Sequence, residues 1–506
     1  MALGLDTIFS DKLVLPLGKT FQISGWSAAE IQIQVTIGQQ IRKVMSTANG
    51  RWNAVFQPIN DGRGVYTIQV DDGYESVIIH ELRFGLVFLM AGQSNIEYEI
   101  QNDHEYAQIR QQTPLANVYY YNVPKIEYVS QDGTVTPQNL RKPTWNQLCG
   151  DNMAEMSAIG YWLSQELQRR LPQTAIGIVD CYKGGTSISS WVSEDVLRSD
   201  TTLIKTFLTP FEAATTGKTV ADYAQEMQSY QRAVNQHNTD LAAFQAANPK
   251  ISLSDAKNHV GHTPWPPPLS PTSFLRPCGL YHTMVCQVQH YTFNQVVWYQ
   301  GENDASQPDI YQVMLTKLIQ SWRKMLADTS LVFNIIQLPG YEDEPFEAWP
   351  KIRQAQLTVA NLQPNVNLIS GSDTGERHNI HPTSKRQLGE RIGRLLSGQD
   401  YHQTPVVIDI QRIGNDVVFN ISQVHQLEVR PNTTMQVKVG HKWVQRIVRK
   451  IDDQRIVLHD CAEVTAVRYQ YENYTQLTIF NELGDPLTPF SYQIEGNESN
   501  ATNWIN

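Results

Sequence analysis

Nowhere in its 506 residues does this chain run to about 18 consecutive apolar residues, the length a helix needs to cross a bilayer, so no membrane partner is expected. Positive charge is in short supply. The 40 Lys and Arg face 50 Asp and Glu, and a formal net charge of -10 argues against nucleic acid, whose phosphates call for a basic face. Cysteine is scarce too: five, an odd number without any Cys-x-x-Cys, fit reduced thiols better than a disulfide framework or a zinc site. The first residues, Met1 to Asp6, lack a basic region followed by an apolar stretch, so the expected location is cytoplasmic. What remains, 41% hydrophobic and 18% charged, is the composition of a globular protein long enough for two to four domains.

Three kinds of pattern follow one another. Up to about residue 84 the chain reads as β: Ile31-Gln32-Ile33-Gln34-Val35-Thr36-Ile37 alternates strictly, and Asn60-Asp61-Gly62 supplies turn chemistry between such runs. A small sandwich is expected there. From about 85 to 400, apolar runs without alternation take turns with helical periodicity. Ile159, Trp162, Leu163, Leu167 and Leu171 follow a candidate cap, Ser157, and precede the helix breaker Pro172. The runs at 86–89, 175–179, 296–299, 331–336 and 366–369 read as buried strands, and their alternation with helices predicts a parallel sheet covered on both faces. Residues from about 216 to 270 interrupt this rhythm with an Ala/Gln-rich helical stretch and the extended Thr263-Pro264-Trp265-Pro266-Pro267-Pro268, read as an insertion that lines the pocket. After about 400 the chain is β again, with Gly414-Asn415-Asp416 as a hairpin signal.

In an open parallel sheet, ligands bind beyond the carboxyl ends of the strands. Four polar segments fall there: Gly92-Gln93-Ser94-Asn95, Gly184-Gly185-Thr186, Gln300-Gly301-Glu302-Asn303, and Asp373 to Pro382. Singly, each is an ordinary loop, and Ser94 alone is more often a turn or capping residue. Together they supply acyl-transfer chemistry. A serine hydroxyl needs a base, for which His381 is the best candidate, and the tetrahedral intermediate needs donors for its oxyanion. The backbone N–H groups of Ser94 and Gly185 and the side-chain amide of Gln300 are candidate donors. A base that must be neutral predicts activity falling as pH drops through about 6.5. His378 and His381 with Asp373 and Glu376 offer a metal as a minor alternative, without the helical spacing of a zinc-protease site.

These segments resemble the sialate O-acetylesterases, within the SGNH (GDSL-like) hydrolase superfamily, in four ordered blocks. They are LVFLMAGQSNIE (86–97), SAIGYWLSQELQRRL with YKGGTSISSWV (157–171 and 182–192), VVWYQGENDA (296–305) and IHPTSKRQLGERI (380–392). The closing stretch at 467–490 is similar as well. The resemblance implies a three-layer α/β/α, flavodoxin-like core at 85–400, flanked by β-sandwich domains at 1–84 and 401–506, that removes acetyl groups from sugars. Carried over by position, Ser94 is the nucleophile, His381 the base, and Gly185 and Gln300 oxyanion-hole positions. No metal or organic cofactor is implied.

The pattern is broken in one place. Relatives often carry an aspartate two or three residues before the histidine, where this chain has His378 and Asn379. The third partner is left to Glu302, Glu376 or Asp373. Asn303 in place of serine and Ile96 in place of methionine leave the expected chemistry untouched. Two other functions compete: a glycan-binding protein on a degenerate hydrolase fold, and a lipid or thioester hydrolase on the same core. Trp191, Trp298 and Tyr299, near the blocks, lean slightly towards sugar stacking.

Overall fold

Six parallel strands organise the molecule, a computed structural model that describes residues 2–111, 115–129, 135–137, 143–148, 150–345 and 347–494. The end of the expected 401–506 domain, 495–506, lies outside the described residues. The strands are β1 (Ser76–Gly92), β2 (Val118–Asn122), β3 (Ala175–Tyr182), β4 (Gln295–Tyr299), β5 (Val332–Gln337) and β6 (Val366–Ser370). They lie in the order β2-β3-β1-β4-β5-β6, every neighbouring pair parallel. All eight residues of β3 are buried, which is why its sequence does not alternate. Strand order reverses at β1. The crevice created by such a reversal lies beyond the carboxyl ends of β1, β3 and β4, where residues 92–95, 183–186 and 300–303 sit.

Helix Ala158–Arg170 starts where its cap predicts, with Ser157 Oγ accepting the Gly160 N–H at 3.2 Å. It packs on helix Arg386–Leu396, which follows the His381 loop. Gly389 makes that approach possible, since a Cβ there would lie 2.4 Å from Trp162 Cβ.

The N-terminal strands are not a unit closed off at residue 84. β1 continues through that point as one 17-residue strand. Its first half pairs antiparallel with Tyr66–Asp71, its second half with β3, and Val14–Pro16 runs parallel beside Arg83 to Gly85. The strands Phe21–Trp26 and Arg51–Phe56 form a separate small sheet, with Phe21 against Phe56 and Phe84 at 5.3 and 5.4 Å. At the other end, a seven-stranded sheet runs from Val406–Ile413 to Phe490–Gln493, and its first hairpin turns at Gly414 and Asn415, Gly414 having φ +62°. Arg353, 1% exposed, joins this sheet to the core by donating to the carbonyls of Leu338, Pro339, Glu472 and Asn473.

Within the expected insertion, helix Val220–Ala247 carries a capping box of Thr219 and Asp222 and buries no residue. Leu253–Val260 folds back on it, with Phe244 5.4 Å from His259. Tyr230 donates its hydroxyl to the Pro264 carbonyl at 3.1 Å, tying the proline-rich stretch to the long helix. Among the described residues no helix is long and apolar enough to cross a membrane.

Candidate active site

Ser94 is the first residue of a four-residue helix, Ser94–Glu97, that begins directly after β1. The N–H groups of Ile96 and Glu97 both bond to the Gln93 carbonyl, closing a tight turn that lifts the serine above the sheet. Its Oγ lies 2.7 Å from His381 Nε2, across 287 residues of sequence. Both line a cleft of about 220 Å³ together with Glu97, Tyr98, Glu99 and Asn102. Among the described residues no acceptor bonds His381 Nδ1. The pair is a serine–histidine dyad in geometry.

β6 ends three strands away from β1, so the His381 loop must travel back along the sheet edge. Glu376 holds it. One carboxylate oxygen accepts the N–H and hydroxyl of Thr383 at 2.6 and 2.9 Å, and the other accepts Asn379 Nδ2 at 3.0 Å. Asn379 in turn donates to the His381 carbonyl at 2.7 Å and accepts the His381 N–H at 3.3 Å. Beneath the dyad runs a buried chain of three side chains. Lys385 Nζ donates to Asn95 Oδ1 at 2.7 Å, and Asn95 Nδ2 donates to Glu302 Oε1 at 2.6 Å and to the Ile380 carbonyl at 3.0 Å. The residue after the serine thereby anchors the residue before the histidine. Burial pushes Glu302 up to about 7, opposed first by the hydrogen bond from Asn95, and pushes Lys385 down to about 7, opposed first by the charge of Glu302.

His381 is perturbed in the same way. Burial, followed by the positive charges of Lys385 and Lys257, lowers its imidazole to about 3, leaving it neutral at pH 7. This moves the expected acid limb to well below 6.5. Lys257 comes from the insertion helix Leu253–Val260, where its Nζ donates to Asn379 Oδ1 at 2.8 Å.

Two backbone N–H groups on the loops at the serine have no acceptor among the described residues. The Ser94 N–H, in a first helical turn, has no intrahelical acceptor. Gly185 has φ +71° and, among the described residues, no acceptor for its N–H. A Cβ on the adjacent Gly184 would stand 3.3 Å from Ser94 Cβ, which fixes how near this turn comes. Gln300, expected to be a third donor, points elsewhere. It is fully buried; its Nε2 donates to the Thr186 carbonyl at 3.0 Å and to Asp304 Oδ2 at 2.5 Å, and its Oε1 accepts from Tyr311 at 3.0 Å. Gln300 holds the residue after Gly185 in place and has no N–H left for an oxyanion.

None of the three carboxylates named as third partner reaches the imidazole. Asp373 forms a two-pronged ion pair with Arg391 at 2.7 Å, part of a buried group that includes Asp485 and Arg394. Glu376 acts on the loop backbone and Glu302 on Asn95, so both position without touching the ring. The four residues of the metal alternative are divided among separate partners, His378 bonding to Asp343 at 2.9 Å. Trp191, Trp298 and Tyr299 are core residues, 0%, 0% and 1% exposed, and cannot stack on a sugar. Asn95, Lys385 and Lys257 were not named as site residues, although Asn95 lies next to Ser94, Lys385 four residues after His381, and Lys257 in the insertion read as lining the pocket.

A family model described as carbohydrate esterase, sialic acid-specific acetylesterase, matches residues 85–246 and 270–397. The sialate O-acetylesterase of Mus musculus is 24% identical over 92% of this chain and 88% of its own length. That of Homo sapiens is 22% identical over 91% and 85%. A carbohydrate acetylesterase from Xanthomonas citri has a similar fold, with TM-score 0.73 and 21% identity over 97% of this chain and 99% of its own.

Proposed function

The chain belongs to the sialic acid-specific acetylesterase family of carbohydrate esterases, and from that premise we propose that it removes O-acetyl groups from sugars through an acetyl-enzyme on Ser94. The 2.7 Å approach of Ser94 Oγ to His381 Nε2 carries this reading. His381, neutral, takes the hydroxyl proton as Oγ adds to the ester carbonyl. The carbonyl oxygen becomes an oxyanion facing the N–H groups of Ser94 and Gly185. His381 then gives the proton to the departing sugar oxygen, and the acetyl stays on Ser94. Water repeats the cycle: its proton passes to Nε2, the acyl–oxygen bond breaks, and Ser94 recovers the proton as acetate leaves.

The imidazolium formed at each step is opposed by Lys385 and Lys257. The carboxylates of Glu302 and Glu376 act on Lys385, favouring its charged form. We read the core as the three-layer α/β/α arrangement of the SGNH hydrolases, a reading supported by the parallel strand order and the position of Ser94 at its reversal.

Acetate release from acetylated sialic acids, acetylated xylo-oligosaccharides and cephalosporin C tests the activity and sorts the substrates. Turnover surviving in Ser94→Ala would remove the mechanism. A second reading, a glycan-binding protein without turnover, is favoured by the lack, among the described residues, of a partner for His381 Nδ1. Covalent labelling of Ser94 by a fluorophosphonate decides against it, and sugar binding without hydrolysis decides for it.

A further inference from the structure

Trp265 is 49% exposed, whereas Trp191, Trp298 and Tyr299 are in the core. It does not hang free. Its six-membered ring lies on Gly185, so closely that a Cβ there would sit 2.1 Å from Cζ2. Its Nε1–H donates to Asn303 Oδ1 at 3.2 Å, fixing the rotation of the indole. The backbone under it is stiff, with Pro264 before it and Pro266, Pro267 and Pro268 after it, and Pro264 is tied to Tyr230. The stretch is further held by His262 Nε2 bonding to Asp343 Oδ2 at 2.8 Å. A rigid, half-exposed indole is thus mounted one residue from Gly184, which itself approaches Ser94 Cβ. Residues 247–269, which include Trp265, fall between the two spans matched by the family model.

We propose that Trp265 is a stacking platform for the pyranose ring whose acetyl group is presented to Ser94, and so a residue that decides substrate specificity. The inference rests on the esterase reading and deepens it. The apolar C–H face of a pyranose suits an indole face, and a fixed, partly exposed tryptophan loses little conformational freedom on binding. An acyl ester without a ring gains nothing from it. The indole covers Gly185, next to Gly184 and its close approach to Ser94, so a sugar resting against the indole lies beside the loop nearest the nucleophile.

The test compares the wild type, Trp265→Ala and Trp265→Phe on three esters: acetylated xylo-oligosaccharides, O-acetylated N-acetylneuraminic acid, and ethyl acetate as a ringless control. The number read is kcat/KM for each sugar ester divided by that for ethyl acetate. In Trp265→Ala this ratio should fall at least tenfold for the preferred sugar, equivalent to about 1.4 kcal/mol, mostly through KM. Trp265→Phe should restore it to within about threefold, because a ring remains although the bond to Asn303 is gone. An unchanged ratio overturns the proposal even if every rate falls, since equal losses mean that the indole only supports Gly185. If the wild type hydrolyses no ester, the esterase reading fails. Calorimetric binding of the acetylated sugars to Ser94→Ala then decides the platform: binding abolished by adding Trp265→Ala supports it, and binding retained or never present overturns it.

Discussion

The pH profile of ester hydrolysis separates two descriptions of His381. An ordinary imidazole titrates near 6.5; at pH 5 only about 3% of it is neutral, and a reaction needing it as base has lost about thirtyfold. In this structure burial and the charges of Lys385 and Lys257 hold the group down to about 3. The sign follows directly. The active form is the neutral one, which prevails above the pKa, so lowering that pKa extends the plateau towards acid. At pH 5 about 99% remains neutral, and kcat/KM should match its value at pH 7 within twofold. The assay is acetate release from 4-nitrophenyl acetate between pH 3.5 and 8, with circular dichroism at each pH to show that the fold survives. Lys257→Met removes one of the two charges and the bond to Asn379, so its acid limb should move to higher pH, while Lys257→Arg should keep the limb low. A wild-type inflection between pH 6 and 7 with the fold intact would refute the electrostatic argument.

Gly185→Ala should lower kcat by about a hundredfold or more, the usual loss of one oxyanion donor, because φ +71° and the ring of Trp265 leave no room for a Cβ; near-normal kcat in the purified variant would remove Gly185 from the hole. Asp373→Asn should lower unfolding stability by about 3 kcal/mol, since Arg391 loses a buried partner, while kcat/KM stays within threefold of wild type. A thousandfold loss of activity in a stable Asp373→Asn would return Asp373 to the catalytic machinery. Gln300→Met keeps the volume but strands Asp304 and the Thr186 carbonyl, so denaturant unfolding should show about 1–3 kcal/mol lost alongside any loss of kcat. A fall in kcat at unchanged stability would instead favour direct donation to the oxyanion.

Much of the site was legible because local rules held. Strands buried on both faces read as unbroken apolar runs, the Ser157 cap and Pro172 marked a helix, and the polar segments lay where parallel strands end. Ser94 and His381 could be named from that placement and from the family blocks around them. The fold brings these two named side chains within 2.7 Å of each other.

Partner choice was not legible, because it is made across space between groups that look alike in sequence. Asp373, Glu376 and Glu302 were all candidates for one imidazole, and the fold sent them to Arg391, to Thr383 with Asn379, and to Asn95. Gln300 and Asn303 stand three apart on one loop, yet one amide turns into the core and the other meets Trp265. The continuity of β1 through residue 84 was not legible either: one extended backbone pairs with an antiparallel neighbour on its first half and a parallel one on its second. The sequence by itself determined which chemical groups the protein owns and which strands present them. Tertiary structure alone decided which charges surround His381 and which tryptophan stays in water, because both depend on burial, and burial is set by neighbours distant along the chain.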